Sequence, residues 1–196
     1  HRIDLDSLRN QRYSHVRVRV KEEASMATET VTRERLLDGL RQSGADALAR
    51  LSAIPAAKFE EGAYENGWNA RQILAHIAAI EWTYPRLLDV AREGDKPHEE
   101  KKPDAAPPQR TASGGIDNYN QRSIERYADA SVADLLEVFK KNRETTIAAI
   151  EAADDDLFLE HVKSAGGIPG PRGTVLNYVA VMHVNGHVND IVAAAG

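Results

Sequence analysis

Four long stretches of this chain place apolar residues three and four positions apart, and the segments between them are rich in Pro, Gly or Asp. That period marks one face of an α-helix, and a helix with a single apolar stripe has to bury it against another element. In the first stretch the stripe is Leu36, Leu37, Leu40, Gly44, Ala47, Leu48 and Leu51, with Pro55 as the stop. Thr32 stands where an N-cap belongs, and Val31 and Leu36 have the spacing of a hydrophobic staple. The second stretch opens with Asn69 as cap and Gln72 at the reciprocal capping-box position. It continues through Ile73, His76, Ile77, Ile80, Tyr84, Leu87 and Leu88 and fades at Gly94. Pro85 lies inside this pattern, so a kink or break is expected near Thr83 and Tyr84.

Residues 94–115 hold four Pro, two adjacent Gly and many charges, and read as a long loop, disordered or lid-like. A short helix is predicted over 116–127. Ser131 and Asp134 form a cap pair for the third long helix, whose stripe is Leu135, Val138, Phe139, Asn142, Thr146, Ala149, Ile150 and Ala153. Asp154, Asp155 and Asp156 suit the start of a new turn better than a helix C-terminus, where the macrodipole favours cations. Residues 166–173 form a Gly/Pro loop. The last helix is predicted to begin at Thr174, with Leu176, Val179, Ala180, His183, His187, Ile191 and Ala194 facing inward. No strand is expected. The fold class is all-α, an antiparallel four-helix bundle over residues 26–196 with a long loop between its second and third helices. Residues 1–25 carry six basic and four acidic residues with little periodicity. They read as a poorly ordered N-terminal extension ahead of Met26, or alternatively as a basic arm for an anionic partner.

Composition then narrows the chemistry. The 196 residues contain no Cys, which removes disulfides, thiolate nucleophiles, Cys-ligated zinc and iron–sulfur clusters. Any metal must sit on His and carboxylate ligands. A net charge of −5 argues against a nucleic-acid groove. No run reaches the length of a membrane helix, and residues 1–25 lack the apolar core of a signal peptide, so a cytoplasmic protein is expected. Gly166-Gly167-Ile168-Pro169-Gly170 lacks the Lys and Ser/Thr of a phosphate loop, and neither a dinucleotide fingerprint nor a Ser-His-Asp order is visible.

Three of the seven histidines fall on apolar stripes. His183 and His187, four apart, lie one turn from each other on one face, a spacing that lets two ring nitrogens reach one metal ion. His76 sits on the stripe of another helix and can meet the pair across a bundle core. The alternative is a set of core histidines bonded to backbone or side chains. Asp190 follows His187 by three residues and is a candidate to orient its ring, or a solvated carboxylate at the helix end. Glu81 is expected to bond backbone or pair with an Arg at the surface. Asn120 and Asn142 are read as core hydrogen-bonding residues, with a pocket-lining role as the alternative. His161 is left unassigned, and His1, His15 and His98 are expected to be solvated. Trp68 and Trp82 are core or pocket-wall residues, with substrate stacking as the alternative.

The stretch from Gly67-Trp68-Asn69 through His76 to Glu81, with His183-Val184-Asn185-Gly186-His187 near the C-terminus, resembles the DinB-like (DNA-damage-inducible) superfamily, which also contains the N-terminal domain of mycothiol-dependent maleylpyruvate isomerase. Ile116-Asp117-Asn118-Tyr119-Asn120 is a looser match. The resemblance implies a four-helix bundle with a divalent metal ion, zinc or nickel, on His76, His183 and His187. It also implies a metal-dependent enzyme acting on a small molecule, either a hydrolase or a thiol-dependent transferase or isomerase. Without Cys in the chain, any attacking sulfur has to come from a low-molecular-weight thiol cosubstrate. The alternative is a non-catalytic metal-binding bundle, or a homodimer formed through a helix face.

Overall fold

The computed structural model describes residues 30–61, 67–94 and 115–195. Helix α1 (Arg33–Ser52) begins where Thr32 Oγ1 accepts from the Arg35 amide at 3.3 Å. A 3-10 turn (Ala56–Glu60) follows Pro55. Helix α2 (Ala70–Glu81) starts with the full capping box: Gln72 N donates to Asn69 Oδ1 and Asn69 N to Gln72 Oε1, both at 2.9 Å. The helix breaks at Trp82–Tyr84, and α3 (Pro85–Gly94) restarts with Pro85 in its first position, where the missing N–H costs nothing. Helix α4 (Gly115–Arg126) is the predicted short helix, and α5 (Val132–Glu151) carries the Ser131–Asp134 capping box.

A new turn does follow Asp154, the 3-10 segment Asp155–Leu159, with Asp154 in the N-cap position but without a side-chain capping bond. After it the expectation of no strand fails. His161–Lys163 (β1) and Pro169–Pro171 (β2) pair antiparallel, with Val162 opposite Gly170. Three-residue strands are too short for any alternation to show in sequence, and two prolines in β2 disguise it further. The final helical stretch also departs from expectation. It begins with α6 (Arg172–Leu176) after Pro171, two residues before Thr174. Thr174 does not cap it; its Oγ1 accepts from the Val31 amide at 3.3 Å, tying the entry of α1 to this turn. A π segment (Asn177–Met182) follows, in which the His183 amide reaches back to the Tyr178 carbonyl, and α7 (His183–Ala195) completes the chain.

Helices α1 and α2 each pack on both α5 and α7, so α1 and α2 are diagonal neighbours rather than adjacent ones. Helix α2 is surrounded: Ala70 and every residue from Ile73 to Glu81 is buried, which its nearly unbroken apolar run requires. Two apolar clusters fill the interior, one around Leu36, Leu40, Ile150, Phe158 and Leu176, the other around Leu51, Phe59, Ile77, Phe139 and Val188. Three of the four helices also contribute buried polar residues: Ser43 from α1, Glu81 from α2, and Arg143 and Thr146 from α5. Glu81 is therefore not a surface residue. It does pair with an arginine, but inside the bundle, because the periodicity that suggested an outward angle ignored a helix buried on all sides. Residues 1–25, and the loop expected at 94–115 apart from its ends, lie outside the described residues, as do His1, His15 and His98.

Candidate metal centre

His76 is 4% exposed, in the middle of α2. His183 and His187 come from the first two turns of α7, and the three residues offer ring nitrogens that all lie within 4.8 Å of one another. Ring centroids are 5.7 Å apart for His76 and His183, 5.1 Å for His76 and His187, and 4.5 Å for His183 and His187. The Nε2 atoms of His183 and His187 stand 2.9 Å apart. Two nitrogens bound to one tetrahedral zinc at its usual bond length would be about 3.3 Å apart, so this pair is nearly set for a shared ion.

The electrostatics suit a cation as well. Burial lowers the His76 ring to about 3, with His187 and His183 adding to the effect. Burial and then His187 lower His183 to about 4, while a hydrogen bond to the Val179 carbonyl pulls the other way. Burial also lowers His187. All three imidazoles are thus neutral near pH 7, the form that donates a lone pair to a metal. Among the described residues, the buried Nδ1 of His76 has no hydrogen-bond partner. Buried ring nitrogens without partners are costly, and a ligated ion is one remedy. Three neutral imidazoles form a donor set that fits a divalent ion such as zinc or nickel.

The helix carrying two of these residues is held by its π segment. A π turn disrupts the usual carbonyl pairing, and here side chains take up the carbonyls: Tyr84 Oη donates to Val179 O at 2.6 Å, and Arg143 Nη2 to Ala180 O at 2.8 Å. The extra residue also shifts the stripe. Buried positions of α7 are Val184, Val188, Ile191 and Ala195, not His183, His187 and Ala194. Both histidines stand beside the apolar seam, partly exposed. Sequence periodicity missed this because it assumes one unbroken α-helical angle.

A cavity of about 600 Å³ opens beside the cluster, and His76 and His183 are in its wall while His187 is not. Trp82, Tyr84, Tyr119, Tyr127 and Tyr178 also line it. Trp82 Nε1 donates to Tyr119 Oη at 3.0 Å. Trp68 lies outside this lining and packs against His76 with the rings tilted by 46° and 5.3 Å between their centroids. Asn142 is the core residue expected, donating to the Ala78 carbonyl at 3.0 Å. Asn120 is not: it lines the cavity, and its buried Oδ1 has no partner among the described residues. Asp190 Oδ2 is 3.8 Å from His187 Nδ1, beyond hydrogen-bond reach, with a side chain half exposed. His161 is exposed on β1 and does not join the cluster.

A sequence model of the DinB superfamily matches residues 39–191. The chain belongs to the DinB superfamily. No curated protein sequence matches it. Among solved structures, a mycothiol-dependent maleylpyruvate isomerase superposes with TM-score 0.61 at 19% identity, over 82% of this chain and 61% of its own. This DinB-family chain thus spans about three fifths of that isomerase's length. A Streptococcus pneumoniae protein superposes with TM-score 0.62 at 14% identity, over 86% of this chain and 92% of its own. The colibactin self-resistance protein ClbS, solved in complex with a dsDNA, gives TM-score 0.54 at 14% identity, over 84% and 97%. At these identities the likeness is one of fold. Among the described residues no helix is long and apolar enough to cross a membrane.

Proposed function

We propose that this DinB-family protein is a metal-dependent enzyme acting on a small molecule, with His76, His183 and His187 holding a divalent ion, zinc or nickel. The observation that carries the reading is the convergence of three neutral imidazoles at the wall of a ligand-sized cavity. A divalent ion held there would supply a Lewis acid, able to polarise a carbonyl oxygen or to lower the pKa of water or of a thiol. The chain's own residues supply the rest. His76 and His183 present their rings at the cavity while His187 stands behind them, so a ligand approaches from one side only. The Val179 carbonyl, bonded to the His183 ring, fixes its orientation. Trp68 packs on His76 and keeps that ring from turning. The aromatic walls exclude water from whatever the cavity holds. Hydrolysis and thiol transfer both fit this arrangement, and in the second the sulfur belongs to a low-molecular-weight thiol cosubstrate, since the chain has no Cys. The mycothiol-dependent isomerase among the structural neighbours lends support to the thiol branch. A purely structural metal site is disfavoured by the open cavity at His76 and His183, since structural zinc sites close with a fourth protein ligand.

Elemental analysis after loading with zinc or nickel tests the reading, with a screen of thiol cosubstrates to follow. One ion per chain is expected, lost in His183→Ala. Failure to load any divalent ion, or equal loading in His183→Ala, would refute the assignment.

A further inference from the structure

Two consecutive carbonyls of the π segment accept from side chains of other elements, Val179 O from Tyr84 and Ala180 O from Arg143. Val179 lies four residues before His183, where a regular helix would bring the His183 amide to its carbonyl. The π turn carries that amide past it, to the Tyr178 carbonyl. The ring of His183 takes the place of the amide and donates to Val179 O. His183 Nε2 faces His187 Nε2 at 2.9 Å, so the nitrogen that donates is Nδ1. A carbonyl oxygen has two lone pairs. Here one meets the His183 ring, and the other meets the Tyr84 hydroxyl at 2.6 Å. Tyr84 is buried and is set in place by the break between α2 and α3: its amide donates to the Glu81 carbonyl at 3.2 Å, and its carbonyl accepts from the Leu87 amide at 2.9 Å. Tyr84, Val179 and His183 all stand in the cavity wall. One hydroxyl thus reaches from the end of the helix that carries His76 to the carbonyl that aligns a second histidine.

We propose that Tyr84 is a positioning residue of the histidine cluster: its hydroxyl holds the Val179 carbonyl, and that carbonyl holds His183 with Nδ1 protonated and Nε2 turned toward His187. Tyr84 acts through Val179 and donates to none of the three rings. A ring held in this tautomer keeps its Nε2 lone pair free for a divalent ion. Without the hydroxyl, the carbonyl is held by the ring alone and turns with the π segment, and the ring loses its fixed reference. The proposal rests on the reading of the three histidines as a metal centre, and it assigns what sets one of the ligands.

Tyr84→Phe in the full chain removes the hydroxyl and keeps the ring, and two readouts test the proposal. Zinc affinity, measured by competition with a chromogenic chelator, is expected to fall about tenfold. In chelator-treated protein, nitrogen NMR of the imidazoles is expected to show His183 as the Nδ1–H tautomer in the wild type and as a mixture in Tyr84→Phe. Thr146→Val is the control. It deletes another buried hydroxyl, one that donates to the Glu81 and Asn142 carbonyls, and is expected to change neither readout. A loss of stability by itself moves the melting temperature but not the tautomer. Unchanged affinity, an unchanged tautomer, or an equal effect in Thr146→Val each overturns the proposal. Should Tyr84→Phe not fold, the metal-free wild type decides. A nuclear Overhauser contact between the Tyr84 hydroxyl proton and the His183 Nδ1 proton upholds the shared carbonyl, and its absence overturns it. The two readings separate cleanly. If no ion loads in the wild type, the metal reading falls, and the tautomers of the metal-free protein decide this proposal by themselves. If the ion loads and is lost in His183→Ala while Tyr84→Phe changes nothing, the metal reading stands and this proposal falls.

Discussion

Arg143 Nε stands 2.8 Å from Glu81 Oε1, with the two side chains 4% and 0% exposed. Arg143 Nη2 also donates to Glu81 Oε2 at 3.0 Å, and its Nη1 donates to the Leu40 carbonyl and Ser43 Oγ. With the bond to Ala180 O, one guanidinium joins α1, α2, α5 and the π segment. Gly44 makes the room for it: a Cβ there would come 3.1 Å from Arg143 Cγ.

Such a pair stabilises little relative to apolar residues of the same shape, but losing one member leaves a buried charge. Arg143→Met is therefore expected to cost about 3–5 kcal/mol in urea unfolding. The double replacement with Glu81→Leu should recover most of that loss. A single variant as stable as the double would show that the pair is not buried as described.

Acid should weaken the metal-free protein, and the sign follows from the direction of each shift. His76 and His183 are lowered to about 3 and about 4. Unfolded imidazoles take up protons below their ordinary value near 6.5. The folded state does not, so the stability linked to these rings is complete above that value and is lost as pH falls through the folded values. Burial pushes Glu81 up to about 7 against the pull of Arg143, so its contribution has the opposite slope, falling as pH rises through 7. Thermal melts of chelator-treated protein should show stability climbing with pH between about 4.5 and 6.5, where two histidines outweigh one carboxyl. His76→Gln should flatten that climb.

Metal uptake follows from the same rings. Imidazoles that are already neutral release no proton on binding near pH 7, so affinity should stay level across the range where exposed histidine sites lose their ions. Zinc retention measured against pH is expected to have its midpoint below the ordinary imidazole range. A midpoint near 6.5 would mean that the histidines titrate as exposed groups. Saturating ion at about 100 times its Kd should add about 2.7 kcal/mol to stability, readable as a raised Tm.

Two glycines separate close approach from mere tolerance. A Cβ on Gly173 would fall 2.1 Å from the Val31 carbonyl oxygen, so Gly173→Ala forces the entry of α1 away from α6 and should destabilise strongly. Gly186 sits in α7 with nothing within 4 Å of a Cβ, so Gly186→Ala should add about 0.8–1 kcal/mol of helix propensity without moving its neighbours. Comparative melts of the two variants check both.

Local signals were legible in the sequence wherever the chemistry is local. The caps at Thr32, Asn69 and Ser131 lie where side-chain bonding within three residues puts them, and the break before Pro85 and the turn after Asp154 lie where local backbone preference does. The spacing of His183 and His187, with His76 on a second stripe, was also readable. Two of the misses depend on a partner distant in the chain, and a third on a pairing too short to leave a pattern. Thr174 bonds Val31 instead of capping, Glu81 finds Arg143 in the core, and the hairpin exists because residues 161–163 and 169–171 satisfy each other. The cavity wall also draws on α3 and α4, elements whose stripes said nothing about what their other faces would surround.

The π segment at Asn177–Met182 has a consequence for how such a site can arise or vanish. It amounts to one residue more than a regular helix needs, and each residue of an α-helix turns about 100°. Deleting a single residue there would leave a continuous helix with its apolar character intact, yet swing His183 and His187 about 100° relative to the preceding turn. Within this fold, an insertion or deletion of one codon is enough to aim or disarm the histidine pair, while the letters that make up the site stay the same.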